Sequence, residues 1–187
     1  MNKETLSEIT LRPIGVIKST IKEPGGFGQS INLSAWQARV ERMKEQRKAI
    51  SEIVIDNDLV GLLDGIEDFS QLLVLYWAHQ VPAESRSISK VHPMGRADFP
   101  LVGVLATRSP ARPNPVLATT VRLLERKGNV LRVEGLDALD DSPLIDIKPD
   151  TPEYHVDDKV KMPDWMMEIR QELDKESPPS TASEETL

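Results

Sequence analysis

The segment from Gly103 to Pro115, GVLATRSPARPNP, constrains this chain more than any other. Pro110, Pro113 and Pro115 fall within six residues. Each fixes its own φ near about −65° and turns the preceding residue away from the helical region. The four residues before the turn, Gly103 to Ala106, are apolar and compact and predict a buried strand. Arg108, Arg112 and Asn114 are then displayed from a backbone with little freedom, so less entropy is lost when they engage a ligand. A guanidinium fork suits carboxylates and phosphates, and an asparagine both donates and accepts. Composition alone fits an ordinary proline-rich surface loop equally well.

At 187 residues the chain corresponds to one domain with some tail. It contains no cysteine, which excludes disulfides, thiol chemistry and thiolate metal sites. The three histidines, His79, His92 and His155, stand at no ligand-like spacing, so no metal is expected. The N-terminal residues MNKETLSEIT lack the apolar run of a signal peptide, and no stretch approaches the length of a membrane span. The expectation is a soluble, cytoplasmic protein with no membrane partner. The net charge of −7 is uneven. Residues 11–150 hold 18 basic and 18 acidic side chains, whereas residues 151–187 hold 4 and 10. A neutral core neither announces nor excludes nucleic acid.

Along the chain, 12–18 reads as a first strand and 23–28 as a glycine-rich loop. Leu33, Trp36, Val40, Met43 and Ile50 form an apolar seam that predicts a helix over 33–50, capped by Asn32 or Ser34. Its other face is mostly basic (Arg39, Arg42, Lys44, Arg47, Lys48). Short strands follow at 53–55, 71–79, 101–107, 116–125, 130–135 and 145–148, with a hairpin turn at 127–129 and a loop or helical turn over 59–69. The run 71–79 is apolar enough to be buried on both faces. Many short strands with few helices predict a mainly β fold, a single small antiparallel β-barrel, not a parallel α/β sheet. The expected organisation is an extension over 1–10, the barrel over 11–150 and an acidic tail over 151–187. That tail carries a short helix at 163–175 and ends in a disordered stretch.

Four polar segments fall at strand ends: Gln29 to Asn32, His79-Gln80, Thr107 to Asn114, and Gly135 to Asp141. Strand ends of a small barrel meet at a rim, so all four can line one pocket. Val91 to Arg96 adds a further histidine and arginine. Singly, each is weak: His79 at the end of an apolar strand is as a rule a satisfied histidine, and aspartates suit turns.

Taken in order, IGVIKST, GLLDGIEDFSQLLVLYWAHQ, VHPMG, GVLATRSPARPNP and GLDALDDSPLIDIKP resemble the TrmO/YaeB (TsaA-like) methyltransferases over about residues 11–149. The resemblance implies a small antiparallel barrel, paired as a homodimer, that binds S-adenosylmethionine. It also implies N6 methylation of threonylcarbamoyladenosine at position 37 of tRNA. The cofactor-binding residues it implies are Gln29, Ser30, Ile31, Asn32, His79, Gln80, Arg108, Leu117, Leu136, Asp137, Ala138 and Leu139. Within that set, Arg108 is suited to a carboxylate, Asp137 to a ribose hydroxyl or the sulfonium, and Leu117 with Leu136 to the adenine. Asp140 and His92 are the candidate bases for the acceptor N–H. Arg96, Arg112 and Asn114 are candidates for substrate binding, the arginines for phosphate or the threonyl carboxylate.

The chain departs from the family pattern at three places. Val116-Leu117-Ala118-Thr119 stands where the family has Ile-Gly-Leu/Met-Ser. Asp141 replaces a glycine in Asp-Gly-Thr-Pro, and Asp150 replaces the tyrosine of DIKPY. Asp141 tolerates a positive φ better than most residues, so the turn is expected to survive. A methyltransferase of another RNA or a small molecule, and a non-catalytic module for an adenosine ligand, remain alternatives at this level.

Overall fold

The computed structural model describes residues 9–24, 31–156 and 160–175. The strands are β1 (Gly15–Lys18), β2 (Ile50–Ile55), β3 (Gln71–Trp77), β4 (Lys90–Val91), β5 (Val102–Gly103), β6 (Val116–Lys127), β7 (Val130–Glu134) and β8 (Ser142–Pro149). Six of them close an antiparallel barrel in the order β1-β2-β7-β6-β3-β8, and β4 pairs with β5 apart from it. Closure leaves no barrel edge unpaired.

Strand alternation fills the interior. Leu72, Val74 and Tyr76 of β3 point inward with Ile17, Ile53, Val121, Leu131, Val133 and Leu144, all essentially buried. Leu73, Leu75 and Trp77 face outward and are only half-buried, so β3 has one fully buried face where its apolar run suggested two. β1 packs so closely on β2 that a Cβ on Gly15 would lie 2.2 Å from the Val54 carbonyl oxygen. Gly15 therefore sets the spacing of that strand pair.

The helices α1 (Leu33–Gln46) and α2 (Asp164–Asp174) lie outside the barrel and share a second core of Trp36, Val40, Phe99, Ile169 and Leu173. Asn32 caps α1, its Oδ1 accepting from the Ala35 N–H at 2.9 Å. The expected helix over 33–50 ends earlier. Lys48 and Ala49 turn back on the carbonyls of Glu45 and Gln46, and Ile50 opens β2 opposite Glu134 with 47% of its surface exposed.

The strand expected over 101–107 is also shorter. After β5, Val104–Ala106 forms a 3₁₀ turn, closed by Thr107, whose N–H and Oγ1 both donate to the Val104 carbonyl. The local hydroxyl bond competes with further sheet pairing. Val104 is buried, but Leu105 is 77% exposed. Elsewhere the expected strands recur with shifted ends. The hairpin turn is Gly128-Asn129, with Gly128 at φ 61°. The 59–69 stretch forms the 3₁₀ turns Asn57–Leu63 and Ile66–Asp68. The 1–8 and 176–187 ends of the expected organisation lie outside the described residues. No helix among the described residues is long and apolar enough to cross a membrane.

Replacing Gly15 with alanine is expected to destabilise the protein by about 2–3 kcal/mol, because two paired backbones must separate to admit one methyl group. Urea unfolding monitored by circular dichroism measures the difference.

Candidate active site

The antiparallel order brings the C-terminal ends of β1, β3 and β7 and the N-terminal ends of β2, β6 and β8 to one rim of the barrel. Gly135, at φ 91°, ends β7 and sends the chain across that rim. Leu136 and Ala138 alternate inward and are wholly buried, so they plug the barrel, while Asp137 faces out. Backbone bonds tie the crossing segment to the end of β1 and the loop after it. Asp141 N–H donates to Ile17 O at 2.9 Å, Asp140 N–H to Ile21 O at 2.7 Å, and Ser19 Oγ to Ala138 O at 2.8 Å. Asp141 takes φ 61°, the left-handed conformation expected of it.

One carboxylate organises this rim. Asp137 Oδ1 accepts from the Tyr76 hydroxyl at 2.8 Å and from Thr119 Oγ1 at 2.5 Å. Tyr76, Leu117 and Thr119 share the inward face of the β3–β6 pair. Burial, and then the negative charge of Asp137, hold the Tyr76 phenol protonated far above the ordinary tyrosine range, while the charge of Arg108 acts the other way. Arg108 is therefore close enough for its field to reach this cluster. It is exposed and, among the described residues, has no hydrogen bond or ion pair. Asp137 Oδ2 likewise has no partner among the described residues. His79 lies half-buried beside them, its Nδ1 3.3 Å from the buried Ser142 hydroxyl.

The rim therefore gathers His79, Leu117, Leu136, Asp137, Ala138, Leu139 and Asp140, with Gln80 exposed at its edge and Arg108 above the cluster. Leu136 belongs to the barrel core rather than to an open wall. Asp140 has both oxygens engaged, Oδ1 by the Ser19 N–H at 2.9 Å and Oδ2 by Lys22 Nζ at 2.5 Å. The Lys22 bond, followed by the Ser19 N–H, holds its carboxyl below the usual range. An open cleft of about 390 Å³, lined by Lys18, Lys22, Glu52 and Arg132 among others, lies on the outer flank of the strands beside it.

Other expected residues go elsewhere. Arg112 folds back on its own loop, Nε donating to Ser109 O at 2.8 Å and Nη2 to Thr107 O at 2.6 Å, so it braces the proline turn instead of projecting from it. Asn114 is exposed. His92 and Arg96 sit in the loop against the helices. His92 Nδ1 is 2.7 Å from the Phe99 carbonyl, which can only accept, so that nitrogen carries the proton and Nε2 keeps its lone pair when the ring is neutral. Arg96 is gripped by Asp98, Glu168 and Glu172. Ile31 donates its N–H to Gly95 O in the same region, and the Asn32 side chain is the α1 cap. Gln29 and Ser30 lie outside the described residues.

Tyr76, Thr119, Ser19 and Lys22 complete the rim and were not singled out by sequence. Tyr76 carried a signal, because a tyrosine at an inward position between Val74 and the end of β3 needs a partner for its hydroxyl.

The match with known proteins is consistent along the chain. A family model described as the tRNA-methyltransferase O N-terminal domain matches residues 37–156. The chain belongs to this family. The matched span holds Tyr76, Arg108, Leu117, Thr119 and Asp137, and stops before α2. A probable S-adenosyl-L-methionine-binding protein of Pyrococcus abyssi is 37% identical over 168 residues, 89% of this chain and 81% of that one. The tRNA (adenine(37)-N6)-methyltransferase of Homo sapiens is 28% identical, over 81% of this chain and 32% of that one. The crystal structure of TrmO from Pseudomonas aeruginosa matches with a TM-score of 0.57 and 27% identity, over 82% of this chain and 61% of that one. The chain thus spans less than two thirds of that TrmO chain and about a third of the human protein.

Tyr76 has a raised pKa, so its contribution is complete below the unfolded value of about 10 and is lost as pH rises above it. In a Tyr154→Phe variant Tyr76 is the only tyrosine left. No phenolate absorbance is expected there until the protein unfolds, and stability should fall with pH above about 10. Ultraviolet titration alongside circular dichroism checks both.

Proposed function

We propose that this protein binds S-adenosylmethionine at the Tyr76–Thr119–Asp137 rim and methylates N6 of the modified adenosine at position 37 of tRNA. The threonylcarbamoyl form is the acceptor that the family resemblance implies. The observation that carries this reading is family membership across a span that includes Tyr76, Arg108, Leu117, Thr119 and Asp137. The donor set also fits the cofactor. Arg108 offers a guanidinium fork without a partner among the described residues for a carboxylate, and Asp137 Oδ2 offers an acceptor for a ribose hydroxyl. Leu117, inward-facing opposite Tyr76, offers an apolar wall for the adenine.

When bound, S-adenosylmethionine supplies an electrophilic methyl group for an in-line displacement. The chain's own part is positioning. Tyr76 and Thr119 fix the Asp137 carboxylate through one of its oxygens, so the other is presented in a defined direction. The acceptor N–H must pass its proton to a base. Of the two candidates, Asp140 has both oxygens engaged and its pKa lowered, which suits anchoring better than proton abstraction. His92, in the loop against the helices, has no partner at Nε2 among the described residues. The exposed Leu101 and Leu105, immediately before Arg108, support a homodimer in which a second copy covers this apolar edge. A tRNA acceptor fits a cytoplasmic protein.

Isothermal titration with S-adenosylmethionine and S-adenosylhomocysteine is the direct test. Both should bind, and Arg108→Ala should weaken binding about tenfold or more through loss of a charge-assisted contact. Unchanged affinity in that variant, or no binding by folded protein, overturns the site. Mass spectrometry of nucleosides from tRNA incubated with protein and cofactor then tests the acceptor.

A further inference from the structure

Arg96 carries more negative charge than it needs. Asp98, two residues on, already makes a two-point contact, with Oδ1 3.1 Å from Nε and Oδ2 2.5 Å from Nη2. From α2, Glu168 adds a carboxylate 2.8 Å from Nη2 and Glu172 another 3.3 Å from Nη1. The second oxygen of Glu172 accepts from the Trp36 indole N–H. The guanidinium lies 4.0 Å from the Phe99 ring centroid and 5.2 Å from that of Trp36. Two aromatic walls and a planar cation with in-plane donors form a seat for a tetrahedral oxyanion. Arg39, whose Nη1 donates to the Met94 carbonyl of the same loop, and Arg42 beside it add positive charge.

The helix that fills this seat is poorly held by its own sequence. Pro163 at its N-cap supplies no side-chain bond, and its last turn contains no basic residue. Glu172 and Asp174 instead stand at the C-terminal end, where negative charge opposes the helix dipole, and Asp174 is offset only by exposed pairs with Arg170 and Arg47. Its eleven residues bury only Ile169 and Leu173. A helix this short depends on docking, so undocking also unfolds it. It lies outside the span that defines the family.

We propose that the Arg96 seat, walled by Trp36 and Phe99, binds a phosphodiester of the RNA acceptor, and that Glu168 and Glu172 occupy it in the free protein until RNA displaces α2. This inference rests on the reading of the protein as an RNA-modifying enzyme. The exchange leaves the Asp98 contact intact and replaces two carboxylates by one phosphate. Affinity for RNA is then set partly by how often α2 is released.

The test uses the full chain and a short RNA stem-loop carrying adenosine at the anticodon-adjacent position, without cofactor. RNA at saturation should abolish hydrogen-exchange protection of α2. In a Trp77→Phe variant, where Trp36 and Trp165 are the remaining tryptophans, it should also shift the emission. The Glu168→Gln/Glu172→Gln variant should bind RNA about threefold to tenfold more tightly, with a salt slope steeper by about 0.7. Adding Arg96→Gln should remove that gain. Asp56→Asn/Asp58→Asn, the same charge change at the opposite end of the barrel, should not reproduce it. Persistent α2 protection in the presence of bound RNA overturns the proposal. So does an equal gain in the Asp56/Asp58 control, or no binding by either wild type or the glutamine variant. Cofactor titration reports on the barrel rim independently, so failure of this inference is separable from failure of the methyltransferase reading.

Discussion

The structure depends on one segment laid across the end of the barrel. Leu136 and Ala138 close the core from above, and the segment's backbone is tied to Ile17 and Ile21 by the N–H groups of Asp141 and Asp140. Burial of the two apolar residues fixes the alternation, and the alternation leaves Asp137 on the open side. Tyr76 and Thr119 can reach it only because β3 and β6 bring their inward positions to the same mouth. Packing and the rim's chemistry are therefore coupled here: the residues that plug the barrel are sequence neighbours of the residue whose carboxylate the rim exposes. Asp140 belongs to the first role. Its pairing with Lys22 and the Ser19 N–H holds the segment down, and the same pairing makes it a weak proton acceptor.

Much of this was legible in the sequence because it is local. Strand alternation, the glycine turns and the Asn32 cap follow from neighbouring residues, and so does the positive φ of Asp141. The meeting of strand ends at a rim followed from the barrel class, although Ile31 and Asn32, expected there, lie instead against Gly95 and at the α1 cap. What sequence could not show was where long side chains spend their charge. Arg112 looked displayed, yet its fork finds two carbonyls within its own loop. Arg96 looked like a substrate contact, yet two of its partners lie more than seventy residues away, in the short helix expected within the tail. Leu105 looked buried because its neighbours are apolar. A threonine hydroxyl then competed with strand pairing and turned it to solvent.

The departures from the family pattern have unequal consequences. Asp141 keeps the turn that a glycine would make, and its carboxylate pairs with Lys18, so the added charge is neutralised where it arises. Leu117 is different. It stands at the inward position opposite Tyr76, packed against both the barrel core and the Ala78–Val81–Ala111 cluster. A side chain there fills space that a glycine would leave open, so the mouth is narrower and more apolar beside Tyr76.

Charge is distributed to match two separate tasks. At the rim, Arg108 is a cation without a hydrogen bond or ion pair among the described residues, and its charge counters that of the exposed Asp137 at the Tyr76 phenol. At the helices, each of the three guanidinium nitrogens of Arg96 already donates to an acid, the acids coming from two parts of the chain. A free guanidinium beside a fixed carboxylate is a seat for a zwitterion, which carries both signs. A guanidinium held between aromatic rings and covered by a weak helix is suited to a polyanion, which can outcompete two carboxylates by bringing many phosphates at once.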